Sequence, residues 1–71
     1  MGIDDRKVWE EKRYDDGRRF VWRYWGTDME MVEKQARKAM KAIDIYRSPT
    51  IGRPYRHGEF WAVDLQFYGL D

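Results

Sequence analysis

Residues 27–44 read TDMEMVEKQARKAMKAID, and this stretch decides the fold of the chain. At about 100° per residue, its apolar side chains form one stripe within an arc of about 100°. We therefore predict an amphipathic helix from Thr27 to about Asp44. Thr27 is the predicted N-cap, because its hydroxyl can accept the amide of Glu30 while the Glu30 carboxylate returns to the amide of Thr27. The stripe consists of Met29, Val32, Ala36, Ala39, Met40 and Ile43.

The residues before this helix predict a β-hairpin. Residues 7–14 suit an edge strand, and residues 18–25 are rich in the aromatic and β-branched types that strands favour. Either a two-residue turn on Asp16-Gly17 or a three-residue turn with a left-handed Gly17 fits the sequence between them, and we favour the three-residue turn. That turn places two sets of side chains on one face: Val8, Glu10, Lys12 and Tyr14 with Phe20, Trp22 and Tyr24.

The residues after the helix predict a long loop and a last strand. Segment 46–58 contains two prolines and two glycines, which oppose regular structure. Residues 59–68 alternate apolar with other side chains, as a strand with one buried face does. The predicted core residues of this strand are Trp61, Val63, Leu65 and Phe67.

Together these elements predict a single α+β domain over residues 1–71, with residues 1–6 frayed. We expect a two-layer sandwich, in which one helix packs on a three-stranded, mainly antiparallel sheet in the order ββαβ. The last strand is placed beside the first strand, parallel to the second and reached by a right-handed crossover. A position beside the second strand is the alternative.

Composition excludes several classes of protein. The chain has 71 residues, no cysteine and one histidine, so it can build neither a disulfide framework nor a zinc cluster, and we expect no metal and no cofactor. It has no run of about 18 apolar residues and no signal-peptide core, so we expect a soluble cytoplasmic protein without a membrane partner. The net charge of +1 argues against a nucleic-acid binder that works by bulk attraction.

Two stretches rich in arginine and aromatic residues are candidate binding surfaces. A single helix covers only one face of a sheet. The opposite face, with Val21, Phe60 and Tyr68, is therefore either left for a partner or partly covered, with the Phe60 and Tyr68 rings half-buried. The loop combines residue types that concentrate in binding hot spots. The alternative is a solvated connection whose arginines pair with the N-terminal acids. The predicted partner-binding residues are Arg19, Arg23, Trp25, Arg47, Arg53, Tyr55, Arg56 and His57.

The outer face of the helix carries a basic row opposite the apolar stripe. This row is the candidate nucleic-acid surface under an alternative function. A simpler explanation is that cations stabilise the C-terminal end of a helix dipole and that pairs such as Glu33 with Arg37 are ordinary i,i+4 ion pairs. The row consists of Lys34, Arg37, Lys38 and Lys41.

Catalytic chemistry has little support in the sequence. The adjacent acids Glu10-Glu11 point to opposite faces of a strand, so they cannot work together as acid and base. His57 with Glu59 or Asp64 is the one conceivable pair for proton transfer. A histidine beside a glycine in a loop is typical of a solvent-exposed side chain. We therefore expect a protein that is not an enzyme.

Part of the chain resembles the strand-hairpin-helix layout of plant AP2-type and phage-integrase arm-binding DNA domains. The resemblance runs from Tyr14-Asp15-Asp16-Gly17 through the second strand to Thr27-Asp28-Met29-Glu30 and the helix with Ala36 and Ala39, about half of the chain. Those domains have three strands before the helix and nothing comparable to residues 59–68 after it. We therefore assign no membership and transfer no site residue.

These observations predict an interaction protein that binds a protein or nucleoprotein target through its aromatic and arginine surface and acts by occlusion, as an inhibitor or adaptor. Basic and acidic islands along one chain favour a protein partner, which can present complementary charges of both signs. Small inhibitory proteins of phages and plasmids are similar in size and simplicity. A nucleic-acid-binding module is the alternative function, and a homodimer is the alternative partner.

Overall fold

A computed structural model describes residues 7–15 and 18–69 of the chain. One helix packs on one face of an antiparallel sheet, so the predicted α+β class is confirmed. Among the described residues, no helix has the length and apolar character needed to span a membrane. The elements are β1 (Val8–Asp15), β2 (Arg19–Gly26), α1 (Met29–Lys41), a 3₁₀ turn (Ile45–Arg47), β3 (Thr50–Ile51), β4 (Tyr55–His57) and β5 (Phe60–Tyr68).

Helix α1 is capped one residue later than predicted. Asp28, not Thr27, is the N-cap, and its Oδ1 accepts the backbone amides of Glu30 at 3.0 Å and Met31 at 3.4 Å. A carboxylate suits this position because it also opposes the positive end of the helix dipole. The helix ends at Lys41 rather than near Asp44, which instead caps the 3₁₀ turn.

The apolar stripe of α1 forms the core with one face of the sheet, as predicted. Val32 and Ala36 are completely buried, and Ala39, Met40 and Ile43 pack around them. Met29, at the start of the helix, is the exception because it remains 40% exposed. The sheet contributes Tyr24, Val63, Leu65 and Phe67, while the fourth predicted side chain of the last strand, Trp61, is half-buried.

The first hairpin places its side chains on the faces that the favoured three-residue turn predicts, although the strands pair from Asp15 and Arg19 rather than from Tyr14 and Arg18. Tyr14 pairs with Phe20 and Asp15 with Arg19, which leaves three residues between the strands. Arg18 is left-handed, with φ 70°, at the last position of that turn. The left-handed conformation predicted for Gly17 and the fraying predicted for residues 1–6 lie outside the described residues.

The sheet has five strands rather than the predicted three, because segment 46–58 is not a continuous loop. Its residues include β3 and β4, which both pair antiparallel with β5. Residues 52–54, which include Gly52 and Pro54, separate these two short strands. The β4–β5 hairpin turns at Gly58, whose φ of 65° suits the first central position of a type II′ turn.

The last strand lies beside the second strand, so the predicted position beside the first strand is wrong. Strands follow one another in the order β1-β2-β5-β3, and β5 runs antiparallel to β2. The segment with β3 and β4 returns along the sheet, so β5 starts at the end where β2 stops. Strand β2 thereby becomes central, as its aromatic sequence suits, and the charged β1 remains at an edge.

Candidate functional site

The sheet face opposite α1 is covered by no helix among the described residues, and we call it the open face. The predicted residues Arg19, Val21, Arg23 and Trp25 of β2 lie on it with Phe60 and Tyr68 of β5, because neighbours in register share a face. The same register adds Trp9, Glu11 and Arg13 from β1, Ala62, Asp64 and Gln66 from β5, and Tyr55 and His57 from β4.

A polar cluster of three side chains lies at the centre of the open face. The Nε of Arg23 donates to Oδ1 of Asp64 over 2.9 Å, and the hydroxyl of Tyr55 donates to the same oxygen over 3.0 Å. Arg23 and Asp64 are cross-strand partners on β2 and β5, and Tyr55 comes from β4. One carboxylate therefore joins three strands and fixes the positions of a guanidinium and a phenol.

The cluster shifts the pKa values of Arg23 and Tyr55. The hydrogen bond from Arg23 to Asp64 raises the pKa of the guanidinium, although partial burial opposes the shift. Burial raises the pKa of the Tyr55 phenol, and the hydrogen bond to Asp64 adds to this. Both groups therefore keep their protons at neutral pH, so the open face presents a fixed positive charge and a neutral phenol beside Asp64.

Aromatic rings lie at one end of the open face, beside this cluster. Trp9 meets Phe60 edge-on, with ring centroids 5.6 Å apart. His57 contacts Trp25 at 6.1 Å and Tyr55 at 6.4 Å, both in edge-to-face geometry. Such pairs stabilise one another beyond their burial. Trp9 nevertheless keeps 37% of its surface exposed, so the rings form an accessible aromatic end to the face.

Two small apolar residues are buried on the open face although no helix lies above them. Ala62 is completely buried between Trp25 on β2 and Tyr55 on β4, its neighbours in register. Val21 is 6% exposed, with Arg13 and Gln66 as its neighbours. Neighbouring rings and long polar side chains therefore shield these two positions from water.

The structure brings five of the eight predicted partner-binding residues together on the open face: Arg19, Arg23, Trp25, Tyr55 and His57. The other three lie elsewhere on the molecule. Arg56 belongs to the helix side, with its guanidinium carbon 4.9 Å from the Trp61 ring. Arg47 follows α1 and lies 5.9 Å from the Phe67 ring, and Arg53 is exposed between β3 and β4.

The basic row of α1 lies on the outer surface of the helix layer, away from the open face. Lys34, Arg37, Lys38 and Lys41 are all exposed. Arg37 donates to Glu33 over 3.3 Å, which is the expected i,i+4 pair. Because the sheet and the helix separate this row from Arg19 and Arg23, the two basic regions cannot form one surface.

The His57 ring contacts the rings of Trp25 and Tyr55, whereas Oδ1 of Asp64 accepts hydrogen bonds from Arg23 and Tyr55. Within residues 7–15 and 18–69, no three histidine, aspartate or glutamate side chains cluster in a way that could hold a metal ion.

Sequence reasoning missed two contributors to the open face, Trp9 and Asp64. The signal for Trp9 was available, since the three-residue turn fixes which strand residues share a face with Arg23. The pairing of Asp64 with Arg23 was not predictable, because it depends on β5 lying beside β2. The position of β5 is a property of the whole chain rather than of the local sequence.

Sequence reasoning also missed a groove on the helix side of the sheet. It lies between β1 and the C-terminal end of α1, with a volume of about 630 Å³. Phe20, Trp22 and Phe67 line its floor, and Arg47 lies on one wall. The groove arises from the way α1 crosses β2 and β5, which no local pattern reveals.

Comparison with known proteins gives no match to a family model, to a curated protein or to a solved structure.

Proposed function

We propose that this chain is a non-enzymatic interaction protein that docks its open face on a protein target and acts by occluding the surface it covers. The observation that carries the proposal is the Arg23–Asp64–Tyr55 cluster beside the exposed aromatic end of the face. Arginine, tyrosine and tryptophan dominate binding hot spots because they combine apolar area with directional hydrogen bonds. Here one carboxylate already fixes two of them, which lowers the entropy lost on binding.

The charges of the open face favour a protein target over a nucleic acid. Arg23 lies between two acids in register, Glu11 on β1 and Asp64 on β5. A phosphate backbone that approaches Arg23 is repelled by both carboxylates. A protein can instead place a positive charge beside each acid and a negative charge beside Arg23.

Photo-crosslinking from defined positions tests this proposal. A benzophenone amino acid replaces Trp9 on the open face or, as the matched control, Lys38 on the outer surface of α1. Both positions are exposed, so neither replacement disturbs the core. The proteins are irradiated in lysate of the source cells with and without nuclease treatment, and adducts are identified by mass spectrometry.

We expect a protein adduct from position 9 that excess unmodified protein suppresses, and no such adduct from position 38. Absence of an adduct from position 9 would overturn the proposal. Adducts from position 38 that disappear after nuclease treatment would instead support the alternative function, a nucleic-acid-binding module that uses the basic row of α1.

A further inference from the structure

The groove on the helix side lies beside an unpaired sheet edge. Strand β1 pairs only with β2 among the described residues, so its outer edge presents free backbone N–H and C=O groups along eight residues. The other edge of the sheet is divided into β3 and β4, with two and three residues. Of the two edges, β1 is therefore the one long enough to accept a further strand.

The floor of the groove is an aromatic ladder. The rings of Phe20 and Phe67 stack with centroids 5.2 Å apart. Trp22 meets Phe67 edge-on at 4.9 Å, and Tyr14 leans on Phe20 at 4.9 Å. Tyr14 is 60% exposed, so β1 brings a large ring to the edge of the groove without burying it. An apolar side chain that enters the groove removes this aromatic surface from water.

Two basic side chains from different elements reach the groove. Lys12 from β1 places its Nζ 4.3 Å from the centroid of the Trp22 ring and 3.9 Å from the Glu10 carboxylate, in a pair that is about half exposed. Arg47 holds its guanidinium carbon 5.9 Å from the centroid of Phe67. Asp44 is the one acid in this lining, and its carboxylate accepts the backbone amide of Tyr46. Lys12 and Arg47 belong to different elements, so a single carboxylate between them gains from both.

We propose that β1 accepts an extended peptide of another protein as an additional strand, and that the peptide places an apolar and an acidic side chain in the groove. Backbone hydrogen bonds to β1 supply affinity, and pockets for alternate side chains supply specificity. Alternate peptide residues lie on the groove side of β1, beside Lys12 and Tyr14. The acidic side chain is placed beside Lys12 and the apolar one beside Tyr14.

This surface is separate from the open face, and its features disfavour a nucleic acid. Lys12 lies over one face of Trp22, and Phe20 and Phe67 stack on each other, so fewer ring faces are open to a base. A phosphate chain would also pass Asp44 and the negative end of the α1 dipole. A peptide with a single carboxylate beside Lys12 brings less negative charge close to Asp44 and to the C-terminal end of α1.

The test uses a capped synthetic peptide, acetyl-Thr-Phe-Thr-Glu-Thr-Val-Thr-amide, and the intact ¹⁵N-labelled protein observed by NMR. We expect chemical-shift changes at Lys12, Tyr14, Trp22 and Arg47, and slower hydrogen exchange of the outer β1 amides. Lys12→Glu and Arg47→Glu should each weaken binding by about fivefold or more, as loss of an opposed charge does. Lys38→Glu, the charge-matched control on the outer face of α1, should leave the affinity unchanged.

Two modified peptides separate strand addition from simple charge attraction. A peptide with lysine in place of glutamate should not bind. Of two peptides N-methylated on alternate sets of amides, the one methylated on the set that faces β1 should lose binding.

The proposal is overturned if up to about 2 mM peptide leaves the groove unchanged, since even weak specific contacts populate the complex at that concentration. Binding that survives both N-methylation patterns, shifts confined to the open face, or groove shifts with an oligothymidylate but not with the peptide would also overturn it. Concentration-dependent shifts at β1 in the protein alone would assign the edge to a second copy of this chain instead.

Discussion

Arg23 on β2 and Asp64 on β5 face each other across the middle of the sheet, and the Nε of Arg23 donates to Oδ1 of Asp64 over 2.9 Å. The Tyr55 hydroxyl donates to the same oxygen over 3.0 Å. Strand β4 has only three residues and therefore few backbone hydrogen bonds to β5. The Tyr55–Asp64 bond is an additional, side-chain link between β4 and β5. The cluster thus links the stability of the sheet to the shape of the open face.

We expect Asp64→Asn to lower the free energy of unfolding by about 1 kcal/mol, since charged hydrogen bonds at partly exposed sites contribute about that much. Tyr55→Phe should cost about 0.5–1 kcal/mol, because it removes one hydrogen bond and keeps the ring. Urea denaturation measures both. Asp64→Ala removes the acceptor altogether, so Asp64→Ala combined with Tyr55→Phe should lose less than the sum of the two single changes, and strict additivity would contradict a Tyr55–Asp64 bond.

Glu33→Gln is the control for this comparison. The Glu33–Arg37 pair is also an ion pair, but it lies on the exposed face of α1, with the Arg37 side chain 56% exposed. We expect a loss below about 0.5 kcal/mol, the usual range for exposed helix pairs. A loss equal to that of Asp64→Asn would mean that the cluster has no special role.

Stability at high pH should depend on Tyr24. Burial raises the pKa of Tyr24 to about 12, and the nearby Glu10 carboxylate adds to the shift. An unfolded tyrosine titrates near pH 10, so the folded state holds this proton more tightly. The stability that Tyr24 contributes is therefore complete below about pH 10 and is lost as the pH rises towards 12.

Urea denaturation between about pH 9 and pH 12 measures this loss. Tyr24→Phe should flatten the pH dependence in that window, because phenylalanine has no proton to release. Tyr68→Phe, at a side chain that is 50% exposed, is the control and should leave the slope as in the parent protein. An identical slope in the parent and in Tyr24→Phe would show that Tyr24 is not the group responsible.

Much of the fold was predictable from local patterns. The spacing of Val32 and Ala36 along α1 identifies a buried stripe, and the alternation of Val63 and Leu65 along β5 identifies a buried strand face. Each pattern repeats with the period of its own helix or strand, so it identifies that element whatever the arrangement of the others. The faces of the first hairpin followed in the same way, because the turn length fixes them.

The position of β5 and the strands β3 and β4 were not predictable in this way. Pro49, Gly52 and Pro54 oppose regular structure locally, but Thr50 and Ile51 gain backbone partners only because β5 lies alongside. The open face shows the same dependence, since Arg23 meets Asp64 only in this strand order. The strand order and the two short strands depend on long-range pairing, so local sequence patterns could not predict them.

The N-cap of α1 is a third testable feature. We expect Asp28→Ala to lower the free energy of unfolding by about 1 kcal/mol, because the amides of Glu30 and Met31 lose their acceptor. Asp28→Asn should keep most of the stability, since its side-chain oxygen can accept the same amides. Thermal and urea denaturation followed by circular dichroism measure both. Equal losses for the two variants would mean that the hydrogen bond is not the stabilising element.

Gly26 and Gly52 provide a final comparison, between a crowded and an open glycine. A Cβ on Gly26 would lie 2.6 Å from the backbone oxygen of Lys7 and 3.3 Å from a methyl of Val32, so Gly26→Ala must displace either β1 or the helix. We expect a loss of about 1–3 kcal/mol, as for other overpacked sites.

At Gly52 the nearest atom is the Asp64 carbonyl oxygen, at 3.8 Å, an ordinary van der Waals distance. Gly52→Ala should therefore be neutral or stabilising by up to about 1 kcal/mol, because alanine restricts the unfolded chain. Urea denaturation of the two variants measures the contrast, and a Gly26→Ala protein as stable as Gly52→Ala would contradict the close approach of β1 to the end of β2.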